Sequence, residues 1–97
     1  MNSEKLENFK DLIIWQQRIE LVDEIYKITK EFPKEELYGI VNQIRRSAVS
    51  LPSNIAEGFV KYHNKEFKQF LFIALASSAE VETQLIVSSK LKYITKR

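Results

Sequence analysis

The run from Gln43 to Gly58 limits the possible folds more than any other part of the chain. Wound as a helix at about 100° per residue, it places Ile40, Ile44, Ala48, Leu51 and Ile55 on one side and Gln43, Ser47, Ser50, Asn54 and Glu57 on another. The first stripe asks for a hydrophobic core. The second is unusual, because a face that only meets water is normally rich in Lys and Glu, whereas this one is small, mostly uncharged and able both to donate and to accept hydrogen bonds. Such a stripe suits packing against another polar surface. Pro52 lies in the same helix, where it removes one backbone hydrogen bond and crowds the carbonyl of Ala48. A kink is expected there, with Ser47, Ser50 or Ser53 able to satisfy freed carbonyls.

The flanking segments repeat the helical spacing. Asp11 is a candidate N-cap for a helix over about residues 12–31, with Phe9 anchoring the leader before it. Trp15, Ile19, Val22 and Tyr26 form one apolar stripe and Ile14, Leu21, Ile25 and Ile28 a second, together roughly 200° of the wheel, so this helix should bury two sides. Arg18 falls inside that arc and should snorkel or meet Glu57, Glu80 or Glu82. Pro33 ends the first helix and can start the next, over about residues 35–60. Gly39 and Gly58 stand near the ends of that second helix, and Gly58 suits either close approach of a neighbouring backbone or simple fraying before the turn. Asn64 is the expected cap of a third helix over about residues 65–92.

The third helix has Phe67, Phe70, Leu71, Ala74, Ser78, Val81 and Leu85 on its main face, while Phe72, Ile73, Ala76, Ala79, Ile86 and Val87 fill the rest of the circumference. A helix apolar all round is a buried one, so it is expected to be the centre of a bundle or the wall of an oligomer. Its uninterrupted apolar run of about ten residues before Glu80 is short of the roughly 20 needed to span a membrane. The expectation is one all-α domain over residues 1–97, an up-and-down antiparallel bundle with more apolar surface than three helices can cover.

Composition excludes more than it selects. The chain has no cysteine, so a disulfide scaffold and a thiolate metal site are out, and a reducing, cytoplasmic location is expected in the absence of an apolar leader. Glu80 and Glu82 stand two apart on a helix and point about 160° away from each other, too divergent to share a substrate. The single histidine, His63, lacks the Glu-x-x-His spacing of a dinuclear carboxylate bundle, and no serine has a histidine nearby to activate it. No enzyme activity, cofactor or metal is therefore expected. Charge is unevenly spread: residues 1–37 carry six basic and nine acidic side chains, residues 38–97 nine basic and four acidic. That asymmetry suits nucleic acid, or equally attraction between the two halves or between subunits. Arg45 and Arg46 on the second helix, with Lys61, Tyr62, Lys65 and Lys68 at the next turn, are the candidate nucleic-acid-binding residues; the plainer alternative is a solvated basic rim.

Several stretches carry a resemblance: Phe9-Lys10-Asp11-Leu12 with Trp15-Gln16, Phe32-Pro33-Lys34-Glu35-Glu36-Leu37-Tyr38-Gly39-Ile40, and above all Ser50-Leu51-Pro52-Ser53-Asn54-Ile55-Ala56-Glu57-Gly58. Together with Glu66-Phe67, Phe70-Leu71, Ile73-Ala74, Ser77-Ser78 and Glu80 through Leu85, the chain resembles the four-helix-bundle proteins encoded by intervening sequences of bacterial 23S ribosomal RNA genes. The resemblance implies a homo-oligomeric ring, commonly a pentamer, and kinship with accessory proteins of diversity-generating retroelements, whose basic surfaces engage nucleic acid. It brings no catalytic residues. It also implies a fourth helix beyond Tyr93-Ile94, for which this chain, ending at Arg97, has no counterpart. Two functions stay open: self-association with RNA or DNA binding, or a protein-interaction scaffold that binds no nucleic acid.

Overall fold

The computed structural model describes residues 8–61 and 65–94. Three helices, α1 (Ile13–Thr29), α2 (Ile40–Val60) and α3 (Glu66–Lys90), are joined by short connections, and no strand occurs among the described residues. Connections this short make neighbours antiparallel. The cross-helix pairs agree, for Ser47 meets Glu80 and Ser50 meets Ser77, the numbers running in opposite directions.

The ends of α1 and α2 depart from the sequence expectation for local reasons. Asp11 does not cap α1. It belongs to a 3-10 turn, Phe9–Asp11, whose cap is Asn8, and Leu12 with ψ 126° separates that turn from the helix. Phe9 sets its ring edge-on to Trp15, with centroids 5.3 Å apart, and the Gln16 amide donates to the Lys10 carbonyl at 2.9 Å. In the α1–α2 connector, residues 35–39 are not α-helical: Lys34–Glu36 form a second 3-10 turn, and α2 starts only after Gly39. Glu36 folds its carboxylate over the start of α2 to accept from the Ile40 N–H at 3.4 Å. A Cβ on Gly39 would stand 2.8 Å from that carboxylate oxygen, which is why glycine suits the position. Asn64, the expected cap of α3, lies outside the described residues.

The central element is α2, not α3. Its neighbours α1 and α3 pack on either side of it and nowhere approach each other within 8 Å between Cα atoms. Ile44, Ala48 and Leu51 of α2 meet Ile25 of α1 and Val81 of α3 in the buried core, with Leu21, Val22 and Leu85 packed around them. Each such aliphatic side chain, removed from water, contributes roughly 1.5–3 kcal/mol. Only one side of α1 is covered: Ile25 and Thr29 are buried, while Ile13, Ile14, Ile19 and Tyr26 remain exposed. Arg18 makes no ion pair with Glu57, Glu80 or Glu82.

Pro52 is buried within a helix that continues to Val60. The nearby serines do not turn back on the α2 backbone as expected, since the Ser47 and Ser50 hydroxyls reach across to α3, and it is the Asn54 amide that donates to the Ser50 carbonyl at 2.8 Å. Instead of being enclosed, α3 buries only Ala74, Ser77, Val81 and Ser88 and leaves Phe72, Leu75 and Ile86 more than half exposed. Over an 18-residue window its mean hydropathy is 1.5, so by length and composition it does reach what a membrane span requires, although Glu80 and Glu82 lie mid-helix.

The end of α3 is fixed by a left-handed residue. Lys92, at φ 65°, lets its own N–H reach the Ser89 carbonyl and the Tyr93 N–H reach the Ser88 carbonyl, the two bonds of a Schellman cap. Tyr93 is thereby turned onto the α1–α2 connector, with its ring 5.3 Å from Phe32 and its hydroxyl donating to Glu36 at 2.8 Å.

Candidate nucleic-acid interface

Three members of the polar stripe on the second helix are hydrogen-bonded, two of them across to α3. Ser47 donates to Glu80 at 3.2 Å, Ser50 and Ser77 share a hydrogen bond of 2.8 Å, and Asn54 donates to the Ser50 hydroxyl at 2.8 Å. Gln43 and Glu57, the stripe's outer members, are exposed. Gln43 lines a shallow groove with Glu80, Thr83 and Gln84, and the Gln84 side-chain oxygen there is buried without a partner.

The six basic and aromatic candidates do not form one site. Arg45 and Arg46 sit near the start of α2 and Lys61 just past its end, fifteen residues apart and so about 22 Å along the helix. Lys61 is paired with Glu66 at 3.2 Å, Lys65 and Lys68 are exposed, and Tyr62 lies outside the described residues. Arg45 is not a free cation either. Its Nε donates to the Thr29 hydroxyl at 2.9 Å and its guanidinium stacks over the Tyr26 ring at 4.4 Å, while the buried Thr29 hydroxyl donates in turn to the Ile25 carbonyl at 2.7 Å. That arrangement locks α1 to α2 and orients the arginine.

Around Arg45 the connector between α1 and α2 builds what the sequence alone did not reveal. Two adjoining grooves, of about 560 and 340 Å³, share Leu37, Val41 and Arg45. The larger adds Tyr26, Tyr38, Asn42, Arg46 and Val49, and the smaller Thr29, Lys30, Phe32, Pro33 and Lys34. Four cations and two tyrosines line them, and no carboxylate does. Arg46, Lys30 and Lys34 are exposed and make no ion pair. Glu36, the nearest carboxylate in sequence to Tyr38, is engaged by the Ile40 N–H and the Tyr93 hydroxyl. Lys30, Lys34, Tyr26, Tyr38 and Asn42 escape sequence reasoning because they lie on two elements and a connector. The available signal was the density of Lys and aromatic residues between Lys30 and Tyr38.

Among the described residues no three His, Cys, Asp or Glu side chains are placed to hold a metal ion. What the fold and its surface define is a small helical protein with a preformed, cation-lined groove and no assembled acid–base or nucleophilic centre among those residues. Over residues 10–97 the chain matches the model of the 23S rRNA-intervening sequence proteins, and it belongs to that family. That description names no reaction. No curated protein matches the chain.

Proposed function

We propose that this protein is a non-catalytic, cytoplasmic nucleic-acid-binding protein that engages RNA or DNA through the groove between α1 and α2. The observation carrying this reading is the lining of the two adjoining grooves: Arg45 and Arg46 beside Tyr26 and Tyr38 in the larger, Lys30 and Lys34 with Arg45 in the smaller, and no carboxylate in either. Unpaired cations release counterions when they meet phosphates, and aromatic rings beside them offer bases a stacking surface. Arg45 orients the site, while Arg46, Lys30 and Lys34 are free to contact phosphates.

The test is a salt titration of a labelled structured RNA and a labelled duplex DNA against two charge-reversed variants. Lys34→Glu combined with Arg46→Glu is expected to weaken binding at least about tenfold and to flatten the salt dependence by about two phosphate contacts. Reversal of Lys65 and Lys68 at the far turn is expected to do much less. The opposite ranking would move the interface to that turn, and no binding at low salt would remove the reading.

A second reading, self-association or protein scaffolding, is favoured by a different observation. Phe72, Leu75 and Ile86 of α3 are 66%, 67% and 52% exposed, more apolar side chain than a single solvated helix normally shows. A homo-oligomer, up to the pentamer that the family resemblance implies, would cover them, and light scattering reads that mass directly. The two readings are compatible, because the groove and the α3 face use different surfaces.

A further inference from the structure

We propose that the larger groove holds an unpaired nucleotide, its base stacked on Tyr38 and its phosphate held by Arg46, with Lys34 offering a further cation from the adjoining groove. This rests on the nucleic-acid reading and narrows it to single-stranded ligand. The two tyrosines of the groove are in opposite states. Tyr26 is already covered by the Arg45 guanidinium at 4.4 Å, and Thr29 holds that arginine in place. Tyr38 is 89% exposed and makes no hydrogen bond or ring contact with any described residue. A tyrosine held on a short turn between a 3-10 segment and the first residue of α2 has lost backbone freedom while keeping its ring in water. Such a ring is a vacant stacking surface.

The surroundings match the remaining chemistry of a nucleotide. Arg46 and Lys34 are cations without partners, and Asn42 offers both a donor and an acceptor to a base edge. The larger groove, about 560 Å³, is of small-ligand size, and its α2 wall from Val41 to Val49 is about 12 Å long. A duplex keeps its base faces stacked inside and shows only edges and phosphates, so Tyr38 would have nothing to stack against. An unpaired base has a free face.

The experiment compares a fluorescent octaribonucleotide, the blunt duplex of the same sequence and adenosine monophosphate, using the full chain and its Tyr38→Ala and Tyr38→Phe variants at about 50 mM salt. The single strand is expected to bind at least about tenfold more tightly than the duplex. Tyr38→Ala is expected to weaken it at least about fivefold without changing its salt dependence, and Tyr38→Phe to keep its affinity within about twofold. Because Tyr38 is 89% exposed and makes no hydrogen bond or ring contact, neither variant should alter the helical circular dichroism. Adenosine monophosphate that displaces the octamer only in large excess assigns the site to a strand, and displacement at comparable concentration assigns the same chemistry to a free nucleotide. Undiminished single-strand binding by Tyr38→Ala, or equal affinity for the duplex, overturns this inference and leaves the broader reading intact. Absence of binding by every nucleic-acid probe overturns both.

Discussion

Glu36 joins three parts of the chain through one carboxylate. One oxygen caps the start of α2, the other accepts from the Tyr93 hydroxyl at 2.8 Å, and Tyr93 in turn sits against Phe32. That hydrogen bond, then burial, then the charges of Glu36 and Glu35, raise the Tyr93 phenol above its ordinary 10.0. The folded state therefore holds the phenolic proton more tightly than the unfolded chain does. Its stabilising contribution is complete below the unfolded pKa of about 10 and disappears as pH rises through the higher folded value. Denaturation curves taken between about pH 8 and 11 should show the wild type losing stability relative to Tyr93→Phe above pH 10, whereas parallel curves would refute the contact. Residue-level legibility in the sequence was uneven for a physical reason. Ser47, Ser50 and Asn54 could be grouped because they share one helix face, but the capture of Arg45 by Tyr26 and Thr29 depends on how α1 is rotated against α2, which no single helix encodes.

At the scale of elements, the helices announce themselves and their ends do not. The apolar spacing of α2 places the centre of its core side by pattern alone, since Ile44, Ala48 and Leu51 of that stripe become buried, while Ile40 and Ile55 at its ends stay half-buried. Asp11 and the segment from Glu35 to Gly39 mislead because 3-10 turns use the same capping residues and the same Pro start as α-helices. The order of packing was also hidden. Composition makes α3 look central, yet the stripe that can face two neighbours at once belongs to α2. The α2–α3 contact closes at Gly58, where a Cβ would lie 3.4 Å from Phe70 Cβ and 3.6 Å from Leu71 Cδ2. Gly58→Leu should force the helices apart at that end and destabilise the fold by about 1–3 kcal/mol, read as a lower urea midpoint. An unchanged midpoint would mean that the close approach is not needed.

The whole molecule measures 50 × 25 × 19 Å, and its charge is unevenly shared between the two parts of the chain. The acidic first part and the basic remainder are not stitched together by ion pairs: among the described residues the pairs are Lys27 with Asp23 and Lys61 with Glu66, each within its own part. Attraction between the halves of one chain therefore does not use up the basic side chains, and Lys30, Lys34 and Arg46 stay available beside the groove. The surplus apolar surface foreseen from the sequence is present, concentrated on the outer face of α3 and on one side of α1. The family could be read from the run around Pro52, but the groove could not, because it exists only once the connector is folded against α2.

The most direct measurement is an amide and side-chain chemical-shift titration of the isotope-labelled full chain with a single-stranded octaribonucleotide. The largest changes are expected at Tyr38, Asn42, Arg46 and the Arg45 Nε–H, with smaller ones at Lys30 and Lys34. Changes centred on Lys65 and Lys68 or on the outer face of α3, or no changes at low salt, would contradict the groove reading.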